Sequence, residues 1–206
     1  MPQNNLFLAM QRAGGTALTP IEGDIEGNQQ IIQAHGDTYN ATFNKRTFFA
    51  ANQAGVTTSA GLATTYTGLC LSNPAASTVN LSPRRVSGAL IVAPAALTAF
   101  GVIVGYSAAG VVTHTTPLTS LQSMFVGGGT VPQGLTDAAC TIVGTPAWAI
   151  WLGLTPSATG VVAFSLELQG SLLIPPGGYL AIGSTIAGPS SGLVASITWE
   201  EIPIAG

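Results

Sequence analysis

Charged residues are scarce in this chain of 206 residues, in which only 6% of the side chains are Asp, Glu, Lys or Arg. A typical soluble domain has about 25%, and a monomer with so few charges has little to keep it dispersed in water. Apolar residues make up 47% of the sequence. We therefore expect much of the surface to be covered, either by a protein partner or by a membrane.

An uncharged run from Val86 to Val112 raises the membrane alternative, because Arg84 and Arg85 precede it as a positive flank. A spanning helix is a discrete apolar block of about 20 residues. Here the run is interrupted by Pro94 and by glycines, and apolar character continues through most of the chain. The N-terminus also lacks the basic segment of a signal peptide. These features favour a protein that is made in the cytoplasm and does not enter a membrane.

Cysteine and histidine are equally sparse. Cys70 and Cys140 stand far apart in apolar runs, which excludes a disulfide framework or a zinc site and predicts buried free thiols. His35 and His114 fit no metal-ligand spacing; we expect His35 to form hydrogen bonds near a turn and His114 to lie on an exposed or edge strand. The net charge of −3 provides no field for nucleic acid. We predict no metal, no cofactor and no nucleic-acid partner.

Short apolar runs separated by clusters of Pro, Gly and Ser fill most of the chain, a pattern typical of antiparallel strands. Every second residue is apolar from Leu193 to Trp199. In the segment 161–168, Phe164 and Leu168 fall on one strand face and Ser165 on the other. About eight to ten strands at such spacings predict an all-β fold, a jelly-roll-like antiparallel β-sandwich.

The first 50 residues differ in composition from the rest. They are rich in Asn and Gln and contain three alternating acidic residues, Glu22, Asp24 and Glu26. We therefore predict an N-terminal arm or peripheral strands over residues 1–50, followed by the sandwich domain over residues 51–206. A pair of short strands is expected around Gly36, the second of them from Tyr39 to Phe43.

The motifs that match known catalytic or binding signatures are better explained as turns and surface features. Gly188–Gly192 matches G-x-S-x-G, but the nucleophile elbow requires a following helix and a strand-like run follows here. The alternating acidic residues lack calcium-loop spacing, and Gly127–Gly129 lacks the lysine of a P-loop. Asn40 and Asn80 begin glycosylation sequons without a secretory context. No catalytic residue is predicted, and we expect the protein not to be an enzyme.

The three tryptophans are the remaining binding candidates. Trp148, Trp151 and Trp199 offer aromatic faces of the kind that stack on sugars. Trp148 and Trp151 have opposite strand parity, however, which argues against a joint platform. We predict that they anchor the core or an interface.

The stretch from Gly23 to Asn80 resembles a group of tailed-bacteriophage virion proteins. In that group an acidic segment leads to Gln-Ala-His-Gly, followed by an aromatic-rich linker, Ala-Gly-Val-Thr and Gly-Leu-x-Leu-x-Asn-Pro. Towards the C-terminus, Pro-Pro-Gly-Gly-Tyr-Leu-Ala-Ile and Ser-Ile-Thr-Trp-Glu-Glu-Ile-Pro are similar to the endings of phage structural sandwich domains. Together these motifs extend over about half of the chain, and none of them carries a catalytic residue.

The resemblance implies a jelly-roll or β-sandwich subunit that oligomerises on the virus particle, as a head decoration (cement) protein or a tail-associated subunit. We expect a capsid decoration subunit that forms a homo-oligomer, a trimer, and stabilises the head by binding the major capsid protein. Its location would be the virion, assembled in the bacterial cytoplasm. The alternative is a tail-fibre or knob-like host-recognition module that binds glycans.

Overall fold

The structure, a computed structural model, describes residues 9–11, 18–20, 39–52, 54–108, 112–118, 121–155, 162–188 and 192–204. The chain divides into two compact units, residues 1–39 and residues 40–206. In the first unit, β1 (Ala9–Gln11) pairs antiparallel with β2 (Leu18–Pro20). The second unit contains the sandwich.

The second unit begins within a short helix, α1 (Tyr39–Phe43). Its described residues form eleven strands in two sheets. They are β3 (Thr47–Ala51), β4 (Thr65–Ser72), β5 (Val79–Leu90), β6 (Ala99–Tyr106), β7 (Thr113–Pro117), β8 (Gln122–Ser123), β9 (Leu135–Thr141), β10 (Ala147–Leu154), β11 (Ala163–Glu167), β12 (Gly178–Ser184) and β13 (Leu193–Pro203).

The strands pair as in one long hairpin rolled onto itself. β3 pairs with β13, β4 with β12, β5 with β11 and β6 with β10, all antiparallel. These pairs alternate between a six-stranded sheet, β10-β6-β12-β4-β9-β7, and a five-stranded sheet, β11-β5-β13-β3-β8. This alternation is the topology of a jelly roll. β7, β8 and β9 are inserted in the chain between β6 and β10, the last of these four pairs. The predicted all-β sandwich is confirmed.

The core lies between the two sheets and follows the predicted alternation. Trp199 and Phe48 are buried there with their ring centroids 6.0 Å apart. Phe164 and Leu168 also face inward, whereas Ser165 is exposed. Burial of each large apolar side chain contributes about 1.5–3 kcal/mol, so the alternation fixes which face of every strand points inward.

A second apolar layer covers the outer face of the six-stranded sheet. Its buried members are Tyr66, Cys70, Ile103, Val112, Cys140, Ile142, Tyr179 and Ala181. Two tyrosine side chains pack their hydroxyl ends against glycines: a Cβ at Gly68 would overlap the hydroxyl of Tyr66, and a Cβ at Gly105 would overlap the hydroxyl of Tyr179. Glycine is required at these positions because the rings occupy the space that a side chain would take.

The two units meet between residues 39 and 40, whereas composition predicts a boundary at residue 50. Phe48 and Ala50 of β3 are core residues, and β3 pairs with the C-terminal strand β13. The segment from Tyr39 to Phe43, expected to be a strand, is the helix α1. Lys45 follows it with a positive φ of 58°, the left-handed conformation that ends helices.

No helix within the described ranges is long and apolar enough to cross a membrane. The uncharged run that suggested one forms the end of β5 and all of β6, separated by a loop.

The charges are divided unequally between the two units. The second unit has four cationic and four anionic residues and is neutral overall, so the net charge of −3 belongs to residues 1–39. In the second unit, the buried Glu200 pairs with Arg46 and Arg84, and the exposed Glu167 pairs with Arg85. A neutral sandwich has no long-range repulsion between copies.

Candidate functional site

Two of the three tryptophans form a stack on strand β10, at one edge of the six-stranded sheet. The ring centroids of Trp148 and Trp151 are 4.7 Å apart, with 25° between the ring planes. The parity argument against a joint platform is wrong, because the register shifts within β10: Trp148 pairs with Ile103, whereas Ile150 pairs with Val102. Ala149 is the extra residue of a β-bulge, which turns both indoles to the same face.

The stack rests on a floor of glycine backbone. A Cβ built at Gly101 would lie 2.8 Å from the Trp148 ring, and one at Gly183 would lie 3.1 Å from it. Trp148 is therefore held flat against β6 and β12, and it is partly buried in the outer apolar layer. Trp151 covers the opposite side of the stack and is 56% exposed. The result is a rigid aromatic surface with an indole open to solvent.

A pocket of about 320 Å³ lies at the end of the sheet where β10 begins. It is separate from the stack, because Ala147 pairs with Val104, which packs against the core, whereas Trp148 lies in the outer apolar layer. Its walls include Ala147 and Tyr179, and the exposed residues Tyr106, Thr145 and Leu173 lie at its rim. We call the surface formed by Trp148 and Trp151 the aromatic edge.

The hydroxyl of Tyr179, in the outer apolar layer, is buried without a hydrogen-bond partner in the described part of the chain. Burial, with smaller contributions from Cys70 and Cys140, raises the pKa of Tyr179 to about 12. The hydroxyl therefore stays protonated and is a donor that needs an acceptor. Leaving such a group unpaired costs about 1–3 kcal/mol.

Trp199, by contrast, is completely buried in the core between the sheets. The prediction that the tryptophans anchor a core or an interface is thus confirmed for Trp199, while Trp148 and Trp151 are joined in a surface stack.

A second cluster of residues that could take part in chemistry lies towards the opposite edge of the same sheet, where β4, β9 and β7 are neighbours. His114, on the edge strand β7 as predicted, contacts the buried Asp137 with 2.6 Å between Nδ1 and Oδ2. Cys70 and Cys140 lie close by and are both buried and free, which confirms the prediction for the thiols. The contact with Cys140, together with burial, raises the pKa of Cys70 well above its ordinary value. A protonated, buried thiol is not a nucleophile, so this arrangement does not form a Cys–His–Asp triad.

We expect Asp137 to make stability depend on pH. Burial raises the pKa of Asp137, although His114 opposes the rise. The folded protein therefore keeps this proton at a higher pH than the unfolded chain, and the contribution of Asp137 to stability falls as the pH rises above about 4. Relative to Asp137→Asn, the wild type should lose stability between pH 4 and neutrality in urea unfolding. A relative gain over that range would contradict this assignment.

The other sequence candidates are placed as follows. His35, Glu22, Asp24, Glu26 and Ser190 lie outside the described residues. Gly127–Gly129 belongs to the loop between β8 and β9, as predicted, and Asn40 lies in α1 and Asn80 on β5. Within the described ranges, no group of three or more His, Cys, Asp or Glu side chains is arranged to hold a metal ion.

One end of the sandwich exposes large apolar side chains. The connections after β5, β10 and β12 meet there through backbone hydrogen bonds from Thr155 to Thr98 and from Thr185 to Ala99. We call the surface formed by Ile91, Val92, Leu97 and Leu154 the apolar end. Each of these four side chains is at least 44% exposed, and no charged residue occurs in the sequence of these connections.

Comparison of the chain with known protein families, with curated proteins and with solved structures finds no match. The resemblance to phage virion proteins therefore remains a prediction from the sequence motifs.

Proposed function

We propose that the chain is a non-enzymatic structural subunit of a tailed-bacteriophage virion. In this proposal it is a capsid decoration protein that forms a trimer and stabilises the head by binding the major capsid protein. Binding only to the assembled shell lowers the free energy of that state by mass action. The observation that carries the proposal is the apolar end, because large exposed apolar surfaces in soluble proteins are usually covered by a partner.

The motifs that resemble phage proteins support this proposal by their position in the fold. Gly68–Pro74 contains the second half of β4 and the turn after it, Pro175–Ile182 leads into β12, and Ser196–Pro203 forms most of β13. β12 and β13 are interior strands of their sheets. The resemblance therefore involves the strands that build the sandwich, as expected for a shared structural subunit.

The neutrality of the sandwich and its apolar end favour association with further copies of the same chain. Symmetric oligomers place the same patch of each subunit near the symmetry axis, where like charges would repel. The apolar end has no charged side chain among its described residues, so it can approach its own copies without this penalty. Apolar burial at about 25 cal/mol per Å² supplies the affinity.

We expect Leu97→Asp to weaken the oligomer. Leu97 is 58% exposed at the apolar end, and burying a charge in an apolar interface costs about 2 kcal/mol or more, which raises the dissociation constant about 30-fold. Light scattering over a dilution series measures this change. Val131→Asp is the matched control, since Val131 is 83% exposed in the loop between β8 and β9. An oligomer that Leu97→Asp leaves intact would contradict the assignment of the interface.

The second candidate function is a tail-fibre or knob-like module that recognises host glycans. The specific observation in its favour is the stacked pair Trp148 and Trp151. The two functions differ in where the purified protein binds: a decoration subunit binds heads that lack it, whereas a recognition module binds host cells and not heads.

A further inference from the structure

We propose that a basic surface on the sandwich binds the acidic segment, residues 22–26, of a second copy of the chain. The basic surface consists of all four Lys and Arg residues of the second unit, Lys45, Arg46, Arg84 and Arg85. The inference rests on the oligomer of the proposed function. It adds a contact between copies that is separate from the apolar end.

The centre of the basic surface lies on the outer face of the five-stranded sheet. Glu200 follows the core residue Trp199 on β13, so the two side chains point to opposite faces of the sheet. On the outer face, the carboxylate of Glu200 lies 3.5 Å from Nη2 of Arg46 and 2.5 Å from Nη2 of Arg84. The two guanidinium groups therefore flank a single carboxylate.

The other two cations extend the basic surface across the sheet. Arg85 precedes the core residue Val86 on β5 and pairs with the exposed Glu167 of β11, so it also lies on the outer face. Lys45 is exposed two residues before β3, with Nζ 5.6 Å from the centroid of the Phe125 ring, which follows β8. The basic surface thus extends from one edge of the five-stranded sheet to the other.

The basic surface has an excess of two positive charges. Its four cations share two carboxylates, those of Glu167 and Glu200. The other two carboxylates of the second unit are buried elsewhere: Asp137 contacts His114, and Glu201 accepts hydrogen bonds from the loop between β8 and β9. The excess charge is therefore concentrated on one face of a sandwich that is neutral overall, and it attracts an anionic partner.

The acidic segment carries the matching charge. Three of the four carboxylates in residues 1–39 alternate within five positions, at Glu22, Asp24 and Glu26. In an extended conformation, alternate side chains point to the same side and are about 7 Å apart. Arg46 and Arg84 flank one carboxylate and so have a comparable spacing. An extended acidic segment therefore places successive carboxylates near successive cations.

A groove beside Arg85 has room for the backbone of such a segment. Its volume is about 450 Å³, and small side chains on the outer face line it, among them Ser87, Ser165, Ser196 and Ala89. Because these side chains are short, an incoming backbone approaches the sheet closely. The serine hydroxyls both donate and accept hydrogen bonds, as the peptide groups of an extended segment require.

A short acidic segment fits this surface better than nucleic acid does. Duplex DNA carries one charge per about 1.7 Å of its axis, far more than an excess of two positive charges can balance. A second copy of the chain supplies a segment of suitable size. In a symmetric oligomer every subunit has both the basic surface and the acidic segment, so the same contact is repeated around the axis.

Lys45 makes this contact directly testable, because it is the single lysine of the chain. A carbodiimide joins a lysine amine to a carboxylate only when the two are in contact. The whole protein is mixed with a nitrogen-15-labelled preparation, allowed to exchange subunits, treated with carbodiimide and analysed by mass spectrometry. We expect cross-links from Lys45 to the acidic segment in peptides that join a labelled chain to an unlabelled one.

Neutralising the acidic segment measures how much the contact contributes. The combined variant Glu22→Gln, Asp24→Asn and Glu26→Gln should raise the dissociation constant of the oligomer about tenfold. It should also remove most of the dependence of that constant on salt between about 50 and 500 mM. Asp37→Asn, the matched control, removes the fourth carboxylate of residues 1–39 and should behave as the wild type does. Circular dichroism verifies that both variants are folded.

The outcomes separate this inference from the proposed function. A protein that is monomeric in light scattering contradicts both. A stable oligomer in which Lys45 is linked only within single chains, or never to the acidic segment, overturns this inference alone. So does a combined variant with the dissociation constant of the wild type. A combined variant that oligomerises normally but no longer binds phage heads also overturns it, since the acidic segment would then contact the shell.

Discussion

Replacing Trp199 with Ala is expected to lower the free energy of unfolding by about 4 kcal/mol, within the range measured for Trp and Phe truncations in protein cores. Trp199 is completely buried between the two sheets and packs against Phe48. Its indole nitrogen has no hydrogen-bond partner among the described residues, so the loss comes from packing alone. Because whole domains are stable by only about 5–15 kcal/mol, the variant should be close to unfolding at 37 °C.

Urea unfolding followed by far-ultraviolet circular dichroism measures this effect. Trp151→Ala is the matched control, since the same substitution at a residue that is 56% exposed should change stability by less than about 1 kcal/mol. If Trp199→Ala were as stable as Trp151→Ala, the two sheets could not be packed through Trp199 as described.

The second large effect is expected from Glu201→Ala, which should cost about 3 kcal/mol. Glu201 is buried, and its carboxylate oxygen Oε1 accepts hydrogen bonds from the backbone N–H groups of Gln133 and Gly134, each at 2.8 Å. Removing the carboxylate leaves two donors without a partner, each at a cost of about 1–3 kcal/mol. These bonds hold the loop between β8 and β9 against β13.

Hydrogen exchange at the amides of Gln133 and Gly134 measures the local effect, and urea unfolding measures the change in the free energy of unfolding. In Glu201→Ala the amides of Gln133 and Gly134 should exchange faster than in the wild type, whereas Glu201→Gln, which keeps an acceptor oxygen, should show a smaller change. The control Glu167→Ala removes an exposed carboxylate paired with Arg85 and should cost about 0–1 kcal/mol. Unchanged protection of both amides in Glu201→Ala would rule out this anchoring role.

Alternation of apolar residues was sufficient to predict the fold where strands are regular. In β13 the residues of one parity, from Leu193 to Trp199, all lie in the core. In β11 Phe164 faces inward and Ser165 outward. The jelly-roll pairing follows less directly, because it joins the first sandwich strand to the last, and such long-range pairing has no local signature in the sequence.

The aromatic edge could not be predicted because its formation depends on a single extra residue. Ala149 is not a glycine or another residue that marks a bulge in the sequence, yet it reverses the parity of Ile150 and Trp151, before a second register shift occurs between Trp151 and Gly153. Parity therefore placed Trp148 and Trp151 on opposite faces. The glycines at 101 and 183 were the available signal, since glycine inside a strand indicates close approach of another group.

The start of the sandwich, predicted at residue 51, was also wrong, because composition does not show which strands pair. Composition placed β3 with the N-terminal segment, whose residues are rich in Asn, Gln and charged side chains up to Arg46. The pairing of β3 with β13, however, carries Phe48 and Ala50 into the core. The contact between His114 and Asp137 was not predicted either. The available signal was that Asp137 is the single charged residue between Val86 and Leu166, since a charged residue within an apolar section is usually buried only when it is paired.

Mass photometry of the purified protein, first alone and then with phage heads that lack it, tests the central claim most directly. The proposed function predicts a stable oligomer that saturates the heads at a fixed stoichiometry, and loss of this binding in Leu97→Asp but not in Val131→Asp. A protein that remains monomeric, or an oligomer that leaves the heads unoccupied, would contradict it.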